Sequence, residues 1–199
     1  MTPVSVTVFS DFTCPFSYVT EAALRKIASA DGIDIVYRAF ELYPDPAPLR
    51  WPGGSAGWNE AVRPLAAAVD IHMADPGFRP RTRKAHEAAR FADARDVGSA
   101  MRAAIFEAYW GDGQDIGRVD VLMELVAALG LDPEDLKIAL DLDSFTEVVL
   151  GERELAARLN ISSTPTIFIG TGQDATILVG AQSSGDLKDA INIKQAQNG

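Results

Sequence analysis

A short alternating run, Val4-Ser5-Val6-Thr7-Val8-Phe9, leads almost at once into a helix-like stretch that opens at Pro15. The chain's only cysteine, Cys14, stands at the junction. Proline suits the first helical position, because its missing N–H would have no partner there. Cys14 is then the N-cap. Its sulfur is placed where the first-turn amides and the positive end of the helix dipole converge, which favours a thiolate. The expectation is a thiol that reacts at neutral pH.

The helix runs from Pro15 to about Ala30, and Asp31-Gly32 ends it. Ile33 to Phe40 is rich in β-branched and aromatic residues and reads as a second strand. Strand, helix and strand at this length make a βαβ unit, with parallel strands and a right-handed crossover. Cys14 then follows the carboxyl end of the first strand and Glu41 that of the second. This is the sheet edge where α/β proteins place their sites.

Tyr43 to Gly57 is crowded with proline and glycine and reads as a connector. Helices are expected near 58–73, 81–95, 98–110, 118–129 and 133–141, with Asp132-Pro133 as N-cap and first helical residue. Ser144-Phe145-Thr146-Glu147 fits a capping box that opens a helix to about Leu159. Thr166 to Ile169 and Ala175 to Val179 read as a hairpin, and Ser184 to about Gln195 as the last helix. The order is β-α-β, a helical block, then α-β-β-α. The expected domains are 1–43 with 144–199, interrupted by a helical insertion over 44–143.

Composition removes several alternatives. The chain has 199 residues, enough for one domain or for one with an insertion. A net charge of −10 argues against nucleic acid as a partner. The start lacks the pattern of a signal peptide, and no apolar run is long enough to span a bilayer. The expected location is therefore the cytoplasm, with no membrane contact. One cysteine and two histidines argue against a structural zinc site, so no metal is expected.

Ser162-Ser163-Thr164-Pro165-Thr166 lies between helix and strand. A proline just before a strand cannot donate to the ladder. A cis Thr164–Pro165 bond is a favoured solution in such a tight turn. The Thr164 N–H and C=O would then face outward and pair with an extended ligand.

Together these stretches resemble the DsbA family, in which a helical domain interrupts a thioredoxin fold, and more closely its FrnE-like branch. The resemblance is carried by Asp11-Phe12-Thr13-Cys14-Pro15-Phe16-Ser17-Tyr18, Tyr37 to Leu42, Arg83-Lys84-Ala85-His86-Glu87, Ile105 to Trp110, Thr164-Pro165-Thr166 and Gly180-Ala181-Gln182. It implies an α/β fold of DsbA type and a thiol–disulfide oxidoreductase or isomerase. The family pattern at the helix start is Cys-x-x-Cys, and here it is Cys14-Pro15-Phe16-Ser17. Ser17 cannot resolve a mixed disulfide, so monothiol chemistry is expected, with an external thiol as resolver. Glutathione is the candidate co-substrate, and no cofactor is required.

In this reading Cys14 is the nucleophile and Ser17 a hydrogen-bond donor to its thiolate. Pro15 and Phe16 flank the thiol, while Thr164 and Pro165 hold a disulfide-bearing peptide or a small thiol compound. Glu41 and His86 reach the cleft as an acid–base or tuning pair, or are structural: Glu41 in an interdomain ion pair, His86 in a hydrogen bond. The basic run Arg79 to Lys84 is a solvated stretch or a seat for a glutathione carboxylate. Trp51, Trp58 and Phe78 wall a groove or pack the helices. A homodimer is compatible with all of this.

Kappa-class glutathione transferases and 2-hydroxychromene-2-carboxylate isomerases resemble the same architecture. They carry serine where this chain has Cys14, and an Asp-Arg segment that Gly180-Ala181-Gln182-Ser183-Ser184 lacks. A glutathione-dependent isomerase or transferase is therefore the alternative enzyme. A redox-inactive binding or chaperone-like protein is the third expectation.

Overall fold

The computed structural model describes residues 4–31, 33–49 and 56–197. The alternating run forms β1 (Ser5–Ser10), followed by α1 (Pro15–Asp31) and β2 (Asp34–Ala39). Late in the chain come α7 (Thr146–Arg158), β3 (Thr166–Ile169), β4 (Thr176–Val179) and α8 (Ser184–Gln197). The sheet order is β2-β1-β3-β4, with β1 and β2 parallel and the other pairs antiparallel. The period of two puts Val4, Val6 and Val8 on one buried face. Leu24 and Ile27 of α1 and Leu187 and Ile191 of α8 cover that face, with Ile167 and Ile169 beside it.

Between β2 and α7 the described residues form five helices: α2 (Ala56–Ala68), α3 (Arg83–Asp93), α4 (Gly98–Trp110), α5 (Val119–Ala128) and α6 (Pro133–Asp141). Alanines 85, 88, 89 and 92 make the buried stripe of α3, with Met101, Ile105 and Phe106 of α4 in the same core. Phe12 and Tyr18 belong to this second core, although they flank Cys14. The Tyr18 ring stacks on Phe106 at 5.1 Å. The cysteine segment is thus anchored in the helical core, while β1 before it and the second half of α1 after it enter the sheet core.

Two expected boundaries shift. The helix expected to reach residue 73 stops at Ala68, where Asp70 turns left-handed at φ 54° and the Ile71 amide returns to the Ala66 carbonyl. The capping box at Ser144 is not used. The N-cap is Phe145, and the Thr146 hydroxyl donates to Glu87 of α3 at 2.7 Å. The helix thus starts one residue later than the box requires, and the Thr146 hydroxyl ties that start to α3. No helix among the described residues is long and apolar enough to cross a membrane.

Candidate active site

Cys14 is the N-cap of α1: its carbonyl accepts from the Ser17 and Tyr18 amides at 3.1 and 3.2 Å. Its own amide donates to the Asp11 carbonyl at 3.1 Å, closing the turn from β1. The Thr164–Pro165 bond is cis, as is Asp45–Pro46. These two stretches, 150 residues apart in sequence, meet at the sulfur: the Cys14 thiol donates to the Thr164 carbonyl at 3.3 Å. Thr164 therefore does not present its carbonyl outward, as the sequence suggested. In the free chain that acceptor is occupied by the thiol.

The sulfur is also less ionisable than its place at a helix start suggests. Cys14 is only 5% exposed. Burial pushes its thiol above the ordinary range, the Ser17 and Thr164 hydroxyls and the Ser17 amide pull it back, and the Asp11 carboxylate adds to the rise. The helix terminus acts as expected, but loss of water outweighs it. The Ser17 and Thr164 hydroxyls are themselves buried and have no other hydrogen-bond partner. A thiolate is the acceptor both of them lack.

Behind the thiol lies a pair that the motif alone did not reveal. The Asp11 carboxylate is fully buried and accepts from the Thr13 amide at 3.1 Å and the Leu42 amide at 2.5 Å. Burial raises its pKa to about 6, against those two hydrogen bonds and one from Thr82, with Glu41 adding to the rise. His86 of α3 brings Nε2 to 3.9 Å from Asp11 Oδ1. The two do not form an ion pair. Burial, with Arg102, Arg90 and Arg83 nearby, holds the imidazole neutral, and neither ring nitrogen has a hydrogen-bond partner. The Phe12 ring covers it at 4.7 Å.

Glu41 is not free to tune the sulfur. It is buried and receives Arg83 Nε at 2.7 Å, so it ties the end of β2 to α3. The rest of the basic run is similarly committed. Arg79 lies over the Tyr43 ring at 3.8 Å, Arg81 holds the Tyr43 carbonyl and Asp45, and Lys84 binds Glu87, Asp143 and the Leu140 carbonyl. Those cations fasten the connector and α6 rather than wait for an anionic ligand. Phe16 is half-buried against Val19, Val62 and Ala66. Phe78 packs edge-on against Tyr109 at 5.8 Å, while Trp51 and the Trp58 side chain lie outside the described residues.

A sheet of order 2-1-3-4, a cysteine at the start of the first helix and a cis-proline turn against its sulfur define the site. Residues 5–192 match the family described as DSBA-like thioredoxin domain. The chain belongs to that family. Among solved structures, the DSBA-like chain is similar to a probable DsbA oxidoreductase from Streptomyces coelicolor, with a TM-score of 0.84 and 23% identity over 97% of this chain and 90% of that one. It is similar to a 2-hydroxychromene-2-carboxylate isomerase at a TM-score of 0.79 and 21% identity, covering 98% and 97% of the two chains. The cytosolic disulfide reductase DsbM from Pseudomonas aeruginosa, in a structure with GSH, gives a TM-score of 0.70 and 19% identity over 97% and 98%. The DSBA-like fold thus hosts both redox and isomerase members, and the residues around Cys14 must decide between them.

Proposed function

We propose that this chain is a cytoplasmic monothiol enzyme of thiol–disulfide exchange. Cys14 gives up its proton and attacks one sulfur of a substrate disulfide. A Cys14 mixed disulfide forms and the other substrate sulfur leaves as a thiolate. An external thiol, glutathione or one like it, then attacks the substrate sulfur of the mixed disulfide. Cys14 is released, and the substrate departs as a mixed disulfide with the external thiol. One disulfide is broken and one formed at each step, so no further oxidant is needed.

The observation that carries this reading is the Cys14 sulfur at 3.3 Å from the Thr164 carbonyl, with the unpartnered Ser17 and Thr164 hydroxyls beside it. Substrate backbone that takes over the Thr164 carbonyl frees the thiol. The two hydroxyls then stabilise the thiolate that burial alone disfavours. Pro15 and Phe16 shape the wall beside the sulfur. The cytosolic DsbM structure with GSH supports glutathione as resolver by analogy of fold. The test is mass spectrometry after incubation with glutathione disulfide, wild type beside Cys14→Ser. A glutathione adduct on the wild type, reversed by reductant and absent from the variant, is expected. An unmodified wild-type protein overturns the proposal.

A second reading is favoured by the buried, protonated state of Cys14. A glutathione-dependent isomerase or transferase holds the co-substrate sulfur without bonding to it, and the hydroxyls serve that purpose equally well. Turnover of 2-hydroxychromene-2-carboxylate that survives Cys14→Ser selects it.

A further inference from the structure

β4 is an outer strand of the sheet, and its free edge is unguarded. Its register with β3 continues past the strand, where the Gly180 amide donates to the Pro165 carbonyl at 2.8 Å. Antiparallel ladders alternate bonded and non-bonded pairs. Pro165 with Gly180 and Ile167 with Leu178 are therefore bonded positions, while Thr166 with Val179 and Phe168 with Ile177 are not. Ile177 and Val179 thus turn their N–H and C=O groups away from β3. The Val179 carbonyl is met by the Gln182 side-chain amide at 3.3 Å, as an outward carbonyl would be.

The side chains at those two positions are exposed as well, Ile177 by 55% and Val179 by 60%. Beside Ile177 stands Phe168, half-buried and edge-on to Phe9 at 6.0 Å. By alternation these residues share the sheet face opposite the one that α1 and α8 cover. Natural edge strands are protected by charges, proline or a bulge. The other outer strand, β2, follows that rule: Arg38 pairs with Glu152, and Arg90 holds the Tyr37 carbonyl. β4 does not. The chain is 23% charged, yet from Ala175 to Gly185 it carries no charged residue.

We propose that β4 pairs antiparallel with β4 of a second copy, about a two-fold axis at Leu178. Charge and register select this occupant. Each copy carries −10, so two copies repel unless they meet on a neutral strip, and Ala175 to Gly185 is such a strip. A two-fold axis perpendicular to the sheet keeps the apolar face continuous. Ile177 then stands opposite Val179 of the second copy, and Leu178 opposite its own counterpart. The opposed Ile177 and Val179 both have outward backbone groups, so they exchange N–H and C=O bonds in reciprocal pairs. A shift by one residue would set an outward-bonding residue against an inward-bonding one. Gln182 yields the Val179 carbonyl to the incoming amide. A contact centred on so short a strand falls in the class below about 1,200 Å² of buried surface, so the dimer is weak and concentration-dependent. The proposal does not depend on the chemistry of Cys14.

Sedimentation of the full chain in reducing buffer, from about 5 μM to about 1 mM, covers the affinities of small interfaces. A shift from monomer to dimer is expected, with exchange of the Ile177 and Val179 amides slowing as the dimer fills. Ile177→Lys sets a charge against Val179 of the second copy, at two symmetric places, and should weaken the dimer at least about tenfold. Adding Val179→Glu to that variant sets the two new charges opposite each other and should restore most of the loss. Both side chains are exposed, so folding survives. A chain that stays monomeric up to about 1 mM overturns the proposal and leaves the edge to a strand of a different protein. Self-association undiminished in Ile177→Lys overturns it as well. A double variant no better than Ile177→Lys overturns the pairing about Leu178.

Discussion

Ser10 and Asp11 are neighbours in the chain, both fully buried, and they enter two very different polar clusters. Ser10 joins Glu21 of α1 and Arg102 of α4. There the carboxylate, the hydroxyl and two guanidinium nitrogens satisfy one another between β1, α1 and α4. Asp11 faces His86, which is neutral and without a partner, and the Cys14 thiol, whose ionisation its charge opposes. The first cluster is closed and holds the two layers together. The second is left open beside the sulfur. Satisfied buried networks specify structure, and unsatisfied ones mark where something else is meant to bind or react.

The largest expected effect comes from breaking the closed cluster. Arg102→Met removes the cation and leaves Glu21 buried with only Ser10 in hydrogen-bond contact. Removing one partner of a buried pair costs about 3–5 kcal/mol, which is a large share of a stability of about 5–15 kcal/mol. Urea unfolding measures it. A loss below about 1 kcal/mol, the range of an exposed pair, would mean that the cluster is not the fastening it resembles.

The contrast between the clusters also shows where sequence reading stops. The Cys14-Pro15 helix start, the cis Thr164–Pro165 turn and the ends of α4, α6 and β3 were legible, because each depends on residues within a few positions. Glu21 with Arg102, separated by 81 positions, left no local trace. The Arg79 to Lys84 run was visible as charge, but only folding shows that Tyr43, Glu41 and Asp143 consume it. The burial that raises the Cys14 pKa was not legible for the same reason. The helix start is local, whereas the burial that overrides it is built by Phe12 and Tyr18 entering a core formed mainly by α3 and α4. The Asp11 carboxylate could have been suspected from its place three residues before the cysteine, yet nothing local announces that it holds the Leu42 amide.

The next effect belongs to Asp11. Its folded pKa of about 6 lies above the ordinary 3.8. Between those values the folded chain binds more protons than the unfolded one, so stability falls as pH rises through the window. The fall is about 3 kcal/mol over roughly two pKa units. Asp11→Asn should flatten that segment of the stability–pH curve. It should also move the alkylation profile of Cys14 to lower pH, because the charge that opposes the thiolate is gone. A merely structural Asp11 would leave the alkylation profile in place. Iodoacetamide labelling across pH, beside unfolding at each pH, separates the two outcomes.

The smallest effect is expected at His86, and it bears most directly on what the open cluster is for. An imidazole that is neutral and hydrogen-bonded to nothing contributes mainly its ring, which lies against Phe12 at 4.7 Å. Replacing a buried, unpaired polar group by an apolar one of similar shape is close to neutral. His86→Phe should therefore change stability by less than about 1 kcal/mol and leave the Cys14 alkylation profile where it was. A loss above about 2 kcal/mol would mean that a ring nitrogen holds a group, as the desolvation cost of an orphaned partner is of that size. A shifted profile without a loss of stability would instead place His86 in the proton balance of the thiol, and the open cluster would then reach from α3 to the sulfur through Asp11.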